Sequence, residues 1–169
     1  MNLPSRIQRQ RTKGFRLQAQ SPDSRPVVSV CRPGKWGNEF RVVPEGGAWF
    51  VVDGNGVPWG PPAGFTTRPG AAAYAVRFYG GGWMEGKVGS GQLNPHELRG
   101  QHLACFCDLA SPCHADALLR WANEPALLWH RYDYLLRLPR AHSQVEATEL
   151  AELRALLIAA GIVTEATTF

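Results

Sequence analysis

No stretch of about 18 consecutive apolar residues occurs in the chain, so the sequence offers no membrane-spanning helix. The amino terminus is polar and basic and lacks an apolar signal core, and the expectation is a cytoplasmic protein with no membrane partner. Cysteine is scarce, with four in 169 residues. In a reducing compartment these four are expected to be reduced or metal-bound rather than paired in disulfides. There is no internal repeat and no low-complexity tract beyond glycine-rich loops. Acid is nearly missing from Met1 to Arg25, where Asp23 stands alone against Arg6, Arg9, Arg11, Lys13, Arg16 and Arg25. Such an arm favours phosphates or nucleic acid, and the bland alternative is a solvated tail that aids solubility.

What is present describes an ordinary globular chain. Hydrophobic residues at 44% and charged residues at 19% suffice for one core, and the formal charge of +4 is concentrated in the arm. The expected organisation is a basic arm over 1–25, an α/β core over 26–123 and a helical extension over 124–169. The expected fold class is α/β, a small mixed or parallel sheet flanked by helices, with a helical C-terminal extension.

Reactive side chains concentrate between Ala104 and Asn123, where Cys105, Cys107, Cys113 and His114 are followed by Asp116. Gln101–Cys107 reads as a strand with both faces largely apolar, as suits a strand covered on both sides. Ser111 reads as a helix N-cap with Pro112 at the first helical position. Cys113 and His114 then fall in the first turn, where free N–H groups and the positive dipole end favour a thiolate or an anion.

Three chemistries fit this cluster. Cys105, Cys107, Cys113 and His114 are the ligand types zinc prefers, although C-x-C-x5-C-H is not a common zinc spacing. Adjacent Cys113 and His114 would also have to converge from positions about 100° apart on a helix. In a second reading Cys113 is an activated thiolate, with His114 and Asp116 managing protons. In the third the cysteines are small buried hydrophobes.

A second informative stretch is Arg32-Pro33-Gly34-Lys35-Trp36-Gly37-Asn38-Glu39-Phe40, which follows the apolar strand Val27–Cys31. Arg32 and Lys35 suit phosphate, Trp36 suits a stacked base and Asn38 suits a hydrogen bond. The competing reading is a surface turn with Trp36 packed inward.

Between the two stretches the pattern predicts a hairpin, Phe40–Val43 and Ala48–Val52 about Glu45-Gly46-Gly47. It also predicts a helix from Pro69 to Tyr79, stopped by Gly80-Gly81-Gly82. Residues 83–93 read as a glycine-rich connection, and Asn94-Pro95-His96-Glu97 opens a short helix. Beyond Asn123 a helix over 125–138 and a capping box at Ser143–Glu146 are expected. The extension either packs on the core or binds a protein partner. If strands 27–31 and 102–106 lie parallel in one sheet, their loops share its carboxyl edge, where open α/β sheets bind ligands.

The chain resembles a small domain of phages and bacteria that is classed only as a domain of unknown function. Members read RIQRRRTKGW, RPSKWGNPF and LACWC…PCHAD. The matching residues here are Arg6-Ile7-Gln8 through Arg11-Thr12-Lys13-Gly14-Phe15, Arg32–Phe40, Leu103–Cys107 and Pro112–Asp116. The resemblance covers roughly residues 5–123. It implies that arm, loop and Cys/His turn form one domain and one site, and it supplies no reaction. Gly34 replaces the usual serine and Glu39 the usual proline. Cys31 has no counterpart in the pattern and is left out of the expected site.

Two functional readings follow. One is a nucleotide- or nucleic-acid-directed enzyme. Arg11, Lys13, Arg32 and Lys35 hold phosphate, Trp36 and Asn38 meet the base, and Cys113, His114 and Asp116 do the chemistry. The other is a non-enzymatic module stapled by zinc at Cys105, Cys107, Cys113 and His114, which binds nucleic acid or a protein partner.

Overall fold

The computed structural model describes residues 3–138 and 143–164. Arm residues 1–2 and extension residues 139–142 and 165–169 lie outside that description. The strands are β1 (Arg6–Gln8), β2 (Val27–Ser29), β3 (Arg41–Glu45), β4 (Ala48–Val52), β5 (Pro58–Trp59) and β6 (His102–Cys105). The helices are α1 (Arg68–Phe78), α2 (Met84–Gly89), α3 (His114–Asn123), α4 (Pro125–Leu136) and α5 (Gln144–Ala159). The fold is mixed α/β. One sheet has the order β1-β6-β2 with both pairings parallel, and an antiparallel sheet has the order β3-β4-β5.

β6 is central because it can be buried on both faces. His102, Leu103, Ala104 and Cys105 are all buried, as expected for an apolar strand flanked by two others. Strands β2 and β6 are parallel, with Val28 opposite Leu103. The loops after them therefore leave the same sheet edge. β1 adds a strand that residue periodicity does not reveal: Arg6–Gln8 is too short and too polar to show alternation. It exists because the β6 ladder needs a partner on that side, and Arg9 N–H extends it by donating to Cys105 O at 2.7 Å.

Polar groups latch the N-terminal segment onto this sheet. The buried imidazole of His102 takes the Ser5 N–H at Nδ1, 3.0 Å, and its Nε2 meets the Asp23 carboxylate at 2.8 Å. Satisfying both ring nitrogens makes a buried histidine tolerable at the centre of the sheet.

The three glycines after α1 do not stop the helix. The chain continues through a wide turn over Tyr79–Trp83, kinks at Gly81, and resumes as α2. Tertiary packing overrides the local stop signal. A Cβ at Gly80 would lie 2.7 Å from the Ala117 Cβ, and the Gly80 carbonyl accepts the Trp121 indole N–H at 2.6 Å. Glycine there lets the bent helix approach α3. The α1 start is capped by Thr67, whose Oγ1 accepts from Gly70 N–H.

The main core joins β2, β6, α1, α2 and α3, and a second cluster lies between α4 and α5 around Leu128, Tyr132, Leu135, Leu153 and Leu157. The predicted capping box at Ser143 and Glu146 opens α5. A bidentate pair of Arg131 with Glu149, at 3.0 and 2.9 Å, crosses between these two helices. Among the described residues no helix is long and apolar enough to cross a membrane.

The His102 latch predicts acid sensitivity. Its hydrogen bond is the largest influence holding the Asp23 carboxyl below the ordinary 3.8. A carboxyl lowered in the folded state contributes stability above its unfolded value and loses it as pH falls through the folded one. Acid unfolding followed by circular dichroism should therefore flatten below pH 3.8 in Asp23→Asn. An unchanged acid limb would remove this latch from the forces holding the N-terminal strand.

Candidate metal-binding corner and arginine cleft

β6 ends at Cys105, and the chain returns to α3 through the loop that carries Cys107. The N-cap of α3 is Cys113, not Ser111: its backbone is extended (φ −139, ψ 140), and its Sγ accepts the Ala115 N–H at 3.4 Å. An N-cap carbonyl normally accepts the first helical bond. The Ser111 carbonyl is already taken by Arg6 Nη1 at 3.0 Å. This also relieves the awkward geometry expected of adjacent ligands. Cys113 is extended and His114 is the first helical residue, so the two side chains converge across the bend instead of diverging round a helix.

Ligand atoms of Cys105, Cys113 and His114 all lie within 4.8 Å of one another, and all three residues are buried. The trio is placed to hold a metal ion. His114 Nδ1 is 3.9 Å from the Sγ of both cysteines. The opposite ring nitrogen, Nε2, lies 2.7 Å from the Val30 carbonyl oxygen. A carbonyl only accepts, so Nε2 carries a proton, and in the neutral ring Nδ1 turns a lone pair on the thiols. Ligating histidines commonly have their second nitrogen fixed in this way. Cys107 Sγ lies 3.5 Å from Cys105 Sγ but outside the trio.

The thiols are electrostatically unequal. Cys113 is pushed far below the ordinary thiol value, first by the hydrogen bond from Cys105, then by that from Cys107, with His114 and the Ala115 amide adding. Cys105 is pushed up, because its proton is engaged first with Cys107 and then with Cys113. Cys107 also moves up: its bond with Cys105 acts downward, but donation to Cys113 and burial outweigh it. Without an ion, two thiols, the His114 ring and the Ala115 amide all favour the charged form of Cys113.

Beside this corner opens a cleft of about 580 Å³ at the carboxyl edge of the parallel sheet. All three strands feed it. Arg11 comes from beyond β1, Cys31 and Arg32 from beyond β2, and Cys105, Phe106 and Cys107 from β6 and its end. Arg41 on β3 and Arg68 at the start of α1 face it from the other side. His114 lines it, and so does Asn38. Four arginines therefore share one cleft, and none of the described residues lining it is acidic.

The cleft thus brings together Arg11, Arg32 and Asn38 with Cys105, Cys107 and His114. It does not bring in every expected residue. Trp36 is 5% exposed and sits in the core, with its carbonyl accepting from the Tyr79 hydroxyl at 2.8 Å. Tyr79 in turn packs edge-on against His114, so Trp36 supports the corner from behind. Lys35 is paired with Glu97, and Lys13 is exposed; neither lines the cleft. Cys113 and Asp116 line a separate hollow of about 510 Å³. Burial raises the Asp116 carboxyl, and the Arg6 charge only partly counters it. Asn38 uses its Oδ1 to accept the Phe40 N–H at 2.9 Å. Gly37 is required where it stands, because a Cβ would lie 2.8 Å from the Arg32 Cα and 2.9 Å from its nitrogen.

Five contributors lie beyond the sequence reading. Arg41 and Arg68 belong to a hairpin and a helix start, far from either motif, and no local signal marks them. Cys31 is left out of the expected site because the family pattern has no cysteine there, and Phe106 reads as part of an apolar strand face. Arg6 was counted only as charge on a basic arm, yet its side chain is 8% exposed. It donates to the Ser111, Leu109 and Asp108 carbonyls at 3.0, 2.6 and 3.3 Å and pairs with Asp116 at 3.0 Å. One guanidinium thus holds the Cys107–Cys113 loop in shape.

The chain belongs to a family classed as a domain of unknown function, DUF4326, whose model matches residues 7–124. The matched span takes in the Cys/His corner and all four cleft arginines, and leaves α4 and α5 outside. No curated protein and no solved structure matches the chain.

The Arg6 clamp carries a stability prediction. Arg6→Gln should cost about 1–2 kcal/mol in chemical denaturation, since three carbonyls and a carboxylate lose a charged donor. Arg6→Lys should recover only part of that, because an ammonium cannot fork between several acceptors. A loss under about 0.5 kcal/mol for Arg6→Gln would class the clamp with ordinary surface contacts.

Proposed function

We propose that this member of the DUF4326 family is a nucleotide-directed enzyme that holds the anionic part of its substrate on Arg11, Arg32, Arg41 and Arg68. Its chemistry takes place at the adjoining Cys/His corner, and the resident ion there is zinc. One observation carries the reading: a single-sign cleft of four arginines opens on the metal-competent corner at the carboxyl edge of the parallel sheet. Cations gathered without counter-charges concentrate anions, and this sheet edge is where α/β folds bind ligands.

The donor set suits zinc. Arms of about 2.3 Å to sulfur and about 2.0–2.1 Å to nitrogen in a tetrahedron set S···N near 3.6 Å and S···S near 3.8 Å. In the trio His114 Nδ1 stands 3.9 Å from either sulfur, and Cys107, outside the trio, has its sulfur 3.5 Å from that of Cys105. Bound there, zinc would polarise a substrate oxygen or acidify a water molecule. The chain's own residues bind and orient. The arginines fix the anion, and Val30, through its carbonyl, fixes the His114 ring.

The position of Cys107 favours a second reading. If its sulfur is the fourth ligand, the site is closed and structural, and the cleft then belongs to a zinc-stapled binding module without a reaction. Three ligands and an open position facing the cleft would be a catalytic centre. In both readings a protein partner on α4 and α5 remains an additional role that no side-chain arrangement there specifies.

Elemental analysis of the purified protein should find about one zinc per chain, and Cys113→Ser should lose it while keeping the α3 cap, because a hydroxyl still accepts the Ala115 N–H. Cys107→Ser separates the two readings: retained zinc supports the open, catalytic site, and lost zinc supports the closed one. Arg32→Ala should weaken nucleoside diphosphate binding about tenfold, or about 1.4 kcal/mol, by calorimetry. A zinc-free wild-type protein with normal folding would sink the metal part of the proposal, and unchanged binding in Arg32→Ala would sink the cleft part.

A further inference from the structure

The nucleotide reading of the cleft leaves open which end of a ligand meets which wall. Among the lining residues two are aromatic, Phe40 and Phe106. Phe40 is buried and committed to edge-on contacts with Trp59, Phe78 and Trp83. Phe106 is different. It follows β6 directly, is 36% exposed, and stands where the chain has left the sheet. A partly exposed apolar ring at the end of a buried strand calls for an explanation.

Its neighbours supply one. The guanidinium of Arg11 lies 4.6 Å from the Phe106 ring centroid and that of Arg9 lies 4.8 Å away. Arg9 is anchored by Nη1 to Ser29 Oγ at 2.8 Å and by its backbone N–H to Cys105 O at 2.7 Å. Arg11 lines the cleft with Phe106. Flat guanidiniums and aromatic rings are the two side-chain surfaces on which nucleobases stack, and base stacking tolerates any base identity. The other three arginines, Arg32, Arg41 and Arg68, have no ring contact among the described residues and supply charge alone.

We infer that Phe106 and Arg11 form a base platform, so that the ligand is a single nucleotide with its base at that wall and its phosphates on Arg32, Arg41 and Arg68. The inference rests on the nucleotide reading and adds orientation and class to it. A volume of about 580 Å³ falls in the small-ligand range of roughly 300–1,000 Å³ and accommodates one nucleotide rather than a run of them. Trp36, the aromatic that the motif itself advertises, is enclosed in the core and cannot serve. Because stacking is indifferent to base identity, the platform sets affinity for nucleotides over bare phosphates and leaves base selection to other contacts.

The test is calorimetry on the full chain at fixed salt with inorganic pyrophosphate, ADP and CDP, for the wild type, Phe106→Leu and Phe106→Trp. The wild type should bind both nucleotides about tenfold or more tightly than pyrophosphate. Phe106→Leu should lose that preference and keep its pyrophosphate affinity, which also shows that it folds; Phe106→Trp should keep the preference. Pyrophosphate binding without any gain for the nucleotides overturns the platform and leaves the anion cleft standing. Equal weakening of all three ligands in Phe106→Leu likewise overturns the platform. Failure of the wild type to bind any of the three overturns the cleft reading together with this one.

Discussion

The hydrogen bond from His114 Nε2 to the Val30 carbonyl, 2.7 Å, is the contact on which the site depends. It ties the first residue of α3 to the end of β2, two points 84 positions apart in the chain. One consequence is chemical: the bond assigns the proton to Nε2 and leaves Nδ1 as a lone pair facing Cys105 and Cys113. Another is architectural. Val30 is followed by Cys31 and Arg32, so the bond that aims the histidine also sets the start of the loop that delivers an arginine to the cleft. Tyr79 supports both from behind, with its hydroxyl on the Trp36 carbonyl and its ring against His114.

Much of this arrangement was legible because it is written in patterns that local physics enforces. A strand that is apolar on both faces must be central, and β6 is. Two such strands with functional residues at their ends predict a shared edge if they run parallel, and β2 and β6 do. The clustering of Cys105, Cys113 and His114 in space follows from their clustering in sequence. The illegible features all depend on distant partners. Ser111 has every local attribute of an N-cap, but Arg6, from another strand, occupies its carbonyl and moves the cap to Cys113. Gly80-Gly81-Gly82 has every attribute of a helix stop, but the approach of α3 turns it into a kink. Arg41 and Arg68 acquire meaning only when a hairpin and a helix start are brought opposite the sheet edge.

The loop around Trp36 shows how a motif can mislead about which of its members reaches the cleft. Tryptophan beside arginine, lysine and asparagine suggests an aromatic contact surface. In the fold the tryptophan is enclosed, the lysine is engaged with Glu97, and the asparagine spends an acceptor on its own turn. What the loop delivers to the cleft is Arg32, and Gly37 is needed because its backbone passes against that residue. The motif residues build a rigid presentation of one cation, which suits a binding group that must be preorganised.

The metal and thiolate views of the corner are two occupancy states of one problem. Two thiols and an imidazole lone pair are enclosed within 4.8 Å, with a third thiol alongside. Burying that many donors is unfavourable unless something cationic or protic sits among them. With protons alone the surroundings favour charge on Cys113, where two S–H groups and one helix amide would meet it. A divalent cation would replace those shared protons and be met by anionic sulfur and the lone pair already aimed at it, which is why metal binding at such sites releases protons and strengthens with rising pH. A low-pKa Cys113 in the ion-free protein therefore does not argue for a nucleophile against a ligand. It is the property that both roles require, and it sits next to His114, a residue of the corner that also lines the arginine cleft.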